Sequence, residues 1–295
     1  MNLTLDAVRV QGADLLLWAG IVMASLGAVL GVMIGIFARY FKVKSDARVE
    51  LVLELLPGAN CGGCGQAGCA DFAKSVVEGR NAPSKCPVSS REQKSAIARA
   101  LGIEEEASFP RRALVRCGGD LHHSAWLLNY NGVLDCASAA LVNGGPKGCN
   151  YGCLGMGNCA RKCPFGAIEI VNGLAIVHKE LCVGCGTCVA VCPRGVIKLV
   201  PAEAEVHVYC NSPRKGPVKK QFCKVPCLGC RKCVRGAETK FTADGFKAEV
   251  NYDAPELPTP EDVQKIGCPT GCLLSAAEHL RIERSNPEWS AEHHA

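Results

Sequence analysis

The sequence contains few of the features that mark a catalytic or nucleotide-binding protein. No P-loop, nucleophile elbow or HExxH motif occurs, so the common phosphate-binding, serine-hydrolase and zinc-protease centres are not expected on this chain. There is no C-x₂-C-H, which argues against covalently attached haem. Aromatic residues make up only 5% of the chain, too few to suggest base-stacking platforms for nucleic acid. We therefore expect no catalytic acid, base or nucleophile and no nucleic-acid partner.

Cysteine, by contrast, is abundant, with 21 in 295 residues. Disulfide scaffolds are usually short secreted chains, whereas here the cysteine count is odd and many cysteines lie only two residues apart. The clearest motif is C-x₂-C-x₂-C-x₃-C-P, formed by Cys182, Cys185, Cys188 and Cys192-Pro193. This run binds a cubane [4Fe–4S] cluster in bacterial ferredoxins, and it is not the usual spacing of a zinc site. The motif predicts that the protein transfers electrons.

The N-terminal region, residues 1–44, contains a long stretch without charge. Leu15 to Ala38 is 24 residues long, enough to span a bilayer as a helix. A cleaved signal peptide would have a shorter apolar core, with its basic flank before that core. Here the basic residues cluster after the span, so the positive-inside rule puts the rest of the chain in the cytoplasm. Gly27, Gly31 and Gly35 repeat every four residues, which either indicates a partner helix or reflects the abundance of glycine in membrane helices.

A small α-rich domain is predicted over residues 45–104. Short helices are expected from Val49 to Leu55 and over residues 90–101, and Glu104, Glu105 and Glu106 indicate a solvated linker. Between the two helices lies the run CGGCGQAGC, followed by a C-P pair. Its four cysteines make a complete ligand set for one cluster: Cys61, Cys64, Cys69 and Cys86.

Residues 111–200 are predicted to form a ferredoxin-like domain with two clusters. A hairpin with a turn at Asn172-Gly173 separates an upstream cysteine run, which ends at Cys163-Pro164, from the regular one. The upstream run has Met156 where its second cysteine is expected, and Cys149 is the natural replacement. The fourth cysteine of each run ligates the other cluster in two-cluster ferredoxins. The expected sets are Cys149, Cys153, Cys159 and Cys192 for one cluster, and Cys163, Cys182, Cys185 and Cys188 for the other.

Residues 201–280 resemble a second copy that has lost one cluster. The fourth position of the first run is Ala237, and a proline-rich loop at 254–262 replaces the second triplet. A hairpin with its turn at Asp244-Gly245 is nevertheless expected. The predicted set is Cys227, Cys230, Cys233 and Cys268. Cys223 is an alternative fourth ligand, because it stands four residues before Cys227 as Cys149 stands four before Cys153. Residues 281–295 form a polar tail.

The five cysteines outside these sets are Cys117, Cys136, Cys210, Cys223 and Cys272. Apart from the alternative role of Cys223, they are expected to be buried as small hydrophobic side chains. Residues 206–237 contain no Asp or Glu but eight basic residues: Arg214, Lys215, Lys219, Lys220, Lys224, Arg231, Lys232 and Arg235. These charges either balance the negative clusters or attract an acidic redox partner.

The combination of one N-terminal span, a CGGCGQAGC…CP domain and tandem ferredoxin motifs resembles the B subunit of the Rnf complex, the membrane-bound ferredoxin:NAD⁺ oxidoreductase. The stretch at 144–168 is similar to the long form of that subunit. The resemblance implies an α+β electron-transfer subunit with four [4Fe–4S] clusters at the cell membrane. Soluble ferredoxin would supply electrons, and flavin-bearing and membrane partners would reduce NAD⁺ and move Na⁺ or H⁺. The alternatives are a membrane-tethered ferredoxin subunit of a hydrogenase or quinone reductase, and a zinc-stabilised docking protein.

Overall fold

The computed structural model describes residues 3–40, 46–104 and 109–279. Predictions that fall on Glu105, Glu106 and the tail at 281–295 therefore lie outside the described residues. The chain divides into two compact units, Met1–Ala47 and Arg48–Ala295. The helices are α1 (Leu3–Tyr40), α2 (Ala47–Leu55), α3 (Cys69–Val77), α4 (Arg91–Leu101), α5 (Cys136–Leu141), α6 (Asn158–Lys162), α7 (Thr187–Ala190), α8 (Gly216–Lys220), α9 (Lys232–Gly236) and α10 (Pro260–Ile266), with a 3₁₀ turn at Pro83–Lys85. The strands are β1 (Arg111–Val115), β2 (Ile168–Val171), β3 (Leu174–Val177), β4 (Ile197–Pro201), β5 (Val206–Val208), β6 (Phe241–Asp244), β7 (Lys247–Val250) and β8 (Leu273–Ser275).

The first unit consists of helix α1. Its segment Leu17–Tyr40 is 24 residues long with a mean hydropathy of 2.4, so by length and composition it could cross a membrane. The side chains of this segment are exposed around the whole helix, in keeping with an all-round apolar helix. The helix fits a membrane anchor, and it extends the span predicted from the uncharged stretch.

The second unit begins with a small helical core. Val52 of α2, Phe72 and Val76 of α3 and Ile97 of α4 are almost fully buried against one another. Helix α4 begins at a capping box, in which the Ser90 hydroxyl accepts from the N–H of Gln93 and the Gln93 side chain accepts from the N–H of Ser90. The predicted amphipathic helix at 90–101 is confirmed.

The first ferredoxin-like module nests a hairpin inside an outer strand pair. Strand β1 pairs antiparallel with β4, and β2 pairs with β3 across a two-residue loop. Asn172 and Gly173 in that loop have φ angles of 48° and 67°, the left-handed backbone that a type I′ turn requires. The predicted hairpin and its turn are confirmed.

The second module repeats this arrangement, with β5 paired to β8 and β6 paired to β7. The predicted turn is displaced by one residue, because Asp244 pairs with Lys247 and leaves Gly245 and Phe246 as the loop. Gly245 has φ of 58°, so glycine occupies the first loop position, where a type II′ turn needs positive φ. Helix α10 occupies the part of the repeat where the first module has its second cysteine triplet.

The two modules pack against each other along their outer strands. Leu114 of β1, Val200 of β4 and Tyr209 form a shared buried cluster, with Tyr252 and Leu274 against it. The backbone N–H of Gly118 donates to the carbonyl oxygen of Tyr209 at 3.0 Å, which joins the segments that follow β1 and β5. The second half of the molecule is therefore a pseudo-symmetric pair of modules.

Candidate metal centres

The four cysteines predicted in the α-rich domain lie around its helical core. Cys86 is buried in this core, and Cys64 and Cys69 pack against it. The N–H of Cys69 donates to the Asn60 side chain at 2.8 Å where α3 begins. Burial raises the pKa of the Cys61 thiol, and the nearby thiols of Cys64 and Cys86 add to the effect, whereas the N–H of Gly63 hydrogen-bonds to it and lowers the pKa. The predicted residues thus share one site.

A second group is formed by the regular ferredoxin triplet and the distant Cys163. Burial raises the pKa of Cys188 to about 12, with further contributions from the nearby Cys182, Cys185 and Cys163. The fold therefore brings Cys163 beside the triplet at 182–188, and ligation of one cluster by these four cysteines stays a prediction. Backbone amides point at the outer sulfurs, since the N–H of Ala113 lies 3.3 Å from Cys182 Sγ and the N–H of Ala167 lies 3.4 Å from Cys163 Sγ.

The third group differs from the prediction by one member. A cavity of about 360 Å³ is lined by Cys136, Cys153, Cys159 and Cys192. Cys149, expected in this set, lines a different cavity. Cys136 takes its place because Asn158 holds the start of α5 against the start of α6: its Oδ1 accepts the N–H of Cys136 at 2.9 Å, and its Nδ2 donates to Asp135 at 2.6 Å.

The fourth group lies in the second module. A cavity of about 390 Å³ is lined by Cys227, Cys230, Cys233, Cys268 and Cys272. Cys223, the alternative ligand, is not part of this lining. Cys272 is buried as expected, but it is not remote from the set, because its Sγ lies 3.7 Å from Cys268 Sγ. Hydrogen bonding to the Cys272 thiol lowers the pKa of Cys227 to about 6 and that of Cys268 to about 4.

The first module and the second hold the first cysteine of their first cysteine run, Cys153 or Cys227, in the same way. Cys153 and Cys227 each accept the N–H of the residue two further on, and each also accepts an N–H from the following hairpin, that of Ala175 or Ala248. Amide donors at a sulfur favour the thiolate, which is the form that ligates iron. The resemblance between the modules thus extends to their individual N–H···S contacts.

Two buried lysines accompany these cysteines. Lys147 is 1% exposed and donates to the carbonyl oxygen of Cys153 at 2.7 Å, and Lys219 is 4% exposed and donates to that of Cys227 at 2.7 Å. Within the described residues, neither ammonium has a carboxylate at ion-pair distance. A buried positive charge requires a negative partner, and thiolate-ligated clusters would supply it. Of the eight basic residues at 206–237, only Lys219 is buried in this way.

One further cavity contains the remaining cysteines. It is lined by Cys117, Cys149, Cys210 and Cys223, four thiols drawn from both modules. Neither this group nor the place of Cys136 in the third group was predicted from the sequence. The sequence contained a signal for two of the four, because Cys149 and Cys223 each stand four residues before the first cysteine of the following run, Cys153 or Cys227. No cysteine in the described residues is paired in a disulfide.

Comparison with known proteins supports iron–sulfur chemistry at these positions. Residues 56–88 match a family model described as "Putative Fe-S cluster", and residues 175–198 match one described as "4Fe-4S binding domain". The first contains Cys61, Cys64, Cys69 and Cys86, and the second contains the triplet at 182–188. The chain therefore binds iron–sulfur clusters.

Three relatives match most of the chain. The chain is 43% identical over 234 residues to the B subunit of the ion-translocating oxidoreductase complex of Methanosarcina acetivorans, covering 79% of this chain and 89% of the relative. It is 40% identical over 209 residues to the B subunit of the proton-translocating ferredoxin:NAD(+) oxidoreductase complex of Clostridium ljungdahlii, covering 70% and 74%. It is 37% identical over 260 residues to the B subunit of the Na(+)-translocating ferredoxin:NAD(+) oxidoreductase complex of Acetobacterium woodii, covering 88% and 77%. At this identity and coverage, the chain belongs to the family of B subunits of ion-translocating oxidoreductase complexes.

Proposed function

We propose that this chain is the electron-transfer subunit of a membrane-bound complex that oxidises reduced ferredoxin, reduces NAD⁺ and translocates Na⁺ or H⁺. The names of the relatives from Clostridium ljungdahlii and Acetobacterium woodii describe such complexes. The observation that carries the proposal is the contact between successive cysteine groups, because a relay requires neighbouring redox centres. The chain itself needs no catalytic acid or base, since its clusters exchange single electrons.

Two contacts connect the groups in the first half of the second unit. Cys61 of the α-rich domain lies close enough to Cys185 for their thiolates to repel, and a Cβ added to Gly63 would be 2.7 Å from the carbonyl oxygen of Cys185. Cys159 of the third group is similarly close to Cys188 of the second. Electrons would therefore pass between the first ferredoxin-like module and the α-rich domain through the cluster held by Cys163, Cys182, Cys185 and Cys188.

The fourth group is the best candidate for receiving electrons from a soluble partner. Cys230 is the one exposed cysteine among those in the described residues. Arg231, Lys232 and Arg235 beside it are also exposed, and they give this surface a positive charge. Such a patch would attract an acidic ferredoxin at low ionic strength, and the exposed ligand would shorten the path for electron transfer. The exposed basic residues of the segment 206–237 therefore support the hypothesis that it attracts an acidic partner. The buried Lys219 supports the other hypothesis, that positive charge balances the negative clusters.

The cysteine geometry also favours clusters over the alternative of structural zinc. The thiols of the third and fourth groups surround cavities, which suits a polynuclear cluster with a volume of its own. The chemistry of the cluster would be one-electron transfer, with its potential set by N–H···S bonds, nearby charge and solvent exposure.

The complex would be anchored in the cell membrane through α1, with the cluster-bearing unit on the cytoplasmic side. Support for the anchor is the apolar segment Leu17–Tyr40. Support for the sidedness is the cluster of basic residues after the span, which the positive-inside rule assigns to the cytoplasm. The partners would be the other membrane and flavin-bearing subunits of an Rnf-type complex.

The proposal is tested by mixing the anaerobically purified full-length chain with reduced ferredoxin in stopped flow. We expect the visible absorbance of the clusters to bleach rapidly and the rate to fall as salt is raised. The control is an equal concentration of dithionite, which should bleach the clusters without that salt dependence. Reduction by dithionite but not by ferredoxin, with full iron content, would exclude ferredoxin as the donor and favour a subunit of another oxidoreductase.

A further inference from the structure

The cavity between the two ferredoxin-like modules has the lining of a metal centre. Its four cysteines come from both modules, and it measures about 560 Å³. The cavities of the third and fourth groups, measured in the same way, are about 360 and 390 Å³. The central cavity is therefore no smaller than the two that ferredoxin motifs surround.

Each of its four sulfurs accepts a backbone N–H from the residue two positions further along the chain. The donors are Gly119 to Cys117, Tyr151 to Cys149, Ser212 to Cys210 and Val225 to Cys223. The same contact occurs at Cys61, Cys153, Cys227 and Cys268 in the predicted cluster sets. Amide donors aimed at sulfur stabilise thiolates, so this repeated local geometry is that of a cluster ligand and not of a thiol packed as a small hydrophobe.

The four thiols are related by the pseudo-symmetry of the modules. Cys117 and Cys210 each stand two residues beyond the first strand of their module, β1 or β5. Cys149 stands four residues before Cys153, and Cys223 stands four residues before Cys227. The hydrogen bond from Gly118 to Tyr209 holds the two strand ends together. Both modules therefore contribute equivalent pairs of thiols to a shared site at their interface.

The charges around the cavity suit a negative occupant. Lys147 lies between this cavity and the third group, because it lines the cavity and donates to the carbonyl oxygen of Cys153. Lys219 likewise lines the cavity and donates to the carbonyl oxygen of Cys227 of the fourth group. The Arg194 guanidinium donates to the carbonyl oxygen of Cys149 at 2.8 Å. The two lysines are buried and require a negative partner, which four thiolates and an iron–sulfur core would provide, and the half-buried Arg194 adds to the positive charge.

We propose that Cys117, Cys149, Cys210 and Cys223 bind a fifth [4Fe–4S] cluster. Its position explains how the second module can exchange electrons with the rest of the chain. Cys210 accepts an N–H from Cys227 of the fourth group. On the other side, Lys147 donates to the carbonyl oxygens of Cys153 of the third group and of Gly119, whose N–H is bonded to Cys117. The core would take one electron from the reduced fourth-group cluster, passing from the 2+ to the 1+ state, and return to 2+ as it reduces the third-group cluster. The bridging role rests on the proposed function, whereas the metal site does not.

The first test counts clusters in the wild-type protein. Iron and sulfide analysis of the anaerobically purified full-length chain should give about twenty of each, and native mass spectrometry should resolve five intact clusters rather than four. Saturation at about sixteen irons and four clusters would overturn the proposal. This measurement needs no variant and does not depend on ferredoxin being the donor.

The second test removes one ligand from each module in the double variant C117A/C223A. We expect the loss of one cluster, with about four irons fewer than wild type, and the matched control Asn211→Ala, in the same cavity lining, should keep all five. Unchanged iron content in the double variant would contradict the assignment. If the double variant does not fold, the wild-type count and the EPR spin quantification of the fully reduced wild-type protein decide the question alone.

The bridging role has its own readout. When reduced ferredoxin is mixed with C117A/C223A, the amplitude of the fast bleaching phase should fall to that of one cluster. Dithionite should still reduce all four clusters that remain. Fast reduction of all four by ferredoxin would refute the bridge but leave the metal site standing. A wild-type protein with five clusters that ferredoxin does not reduce would instead refute the proposed function.

Discussion

The adjacent lysines Lys219 and Lys220 allow the role of buried positive charge to be measured with an internal control. Lys219 is 4% exposed and donates to the carbonyl oxygens of Cys227 and Phe246, both at 2.7 Å, whereas Lys220 is exposed. Replacing either with glutamine removes one positive charge from the same helix. Glutamine at position 219 also keeps a donor for one of the two carbonyls, which limits the structural cost.

The expected shift follows from Coulomb's law. If the added electron lies about 8 Å from the Lys219 ammonium, an effective dielectric constant of about 20 gives an interaction of about 2 kcal/mol. For a one-electron couple this corresponds to about 90 mV, since a tenfold change in equilibrium constant is about 59 mV. Lys219→Gln should therefore lower the reduction potential of the fourth-group cluster by about this amount. Lys220→Gln should shift it by no more than about a fifth as much, because water and salt screen an exposed charge.

The assay is an EPR-monitored redox titration of both variants, each with its iron and sulfide content measured first. Equal shifts in the two variants would refute the view that burial makes Lys219 a specific countercharge. No shift in Lys219→Gln, with every cluster present, would refute it as well. Loss of iron in Lys219→Gln alone would show that the lysine acts by holding the backbone of Cys227 and not by its field.

Three further predictions concern the docking surface, the fourth group and the topology. Replacing Arg231, Lys232 and Arg235 together by glutamine should slow reduction by ferredoxin at low salt and flatten its salt dependence, and unchanged rates in stopped flow would exclude this surface as the docking site. Cys268→Ser should remove or convert the fourth-group cluster alone. Cys272→Ala should leave the iron of that cluster in place and lower the cluster's reduction potential, because a hydrogen bond to the cluster sulfurs is lost. Full iron content and an unaltered EPR spectrum in Cys268→Ser would contradict the assignment of Cys268 to this cluster. Protease added outside sealed cells should leave residues 48–279 intact, and digestion there would overturn the cytoplasmic orientation.

Much of this architecture follows from local sequence patterns. The hairpin at 168–177 was predictable because Asn-Gly is the dipeptide that best tolerates positive φ at both loop positions. The crossing of Cys163 to the triplet at 182–188 was predictable because the C-P pair has a fixed place in the ferredoxin run. The turn at 244–246 was misplaced by one residue, since a glycine can occupy either loop position and only the strand pairing decides which.

Only the tertiary structure shows which cysteines belong to each group. Nothing in the spacing of Cys136 distinguishes it from a packed thiol, and it joins Cys153, Cys159 and Cys192 only because Asn158 holds two short helices together. The central four thiols are spread from residue 117 to residue 223 and meet because β1 and β5 end at the same interface.

The order of the groups also depends on packing between modules. The contact between Cys61 and Cys185 joins segments more than a hundred residues apart, and no local pattern encodes such a distance. The spacing of the cysteines is enough to predict the chemistry, because iron–sulfur cores are bound by cysteine runs of this kind. The tertiary structure decided which thiols share a core and which cores are neighbours, because those relations arise from the burial of one module's surface against another.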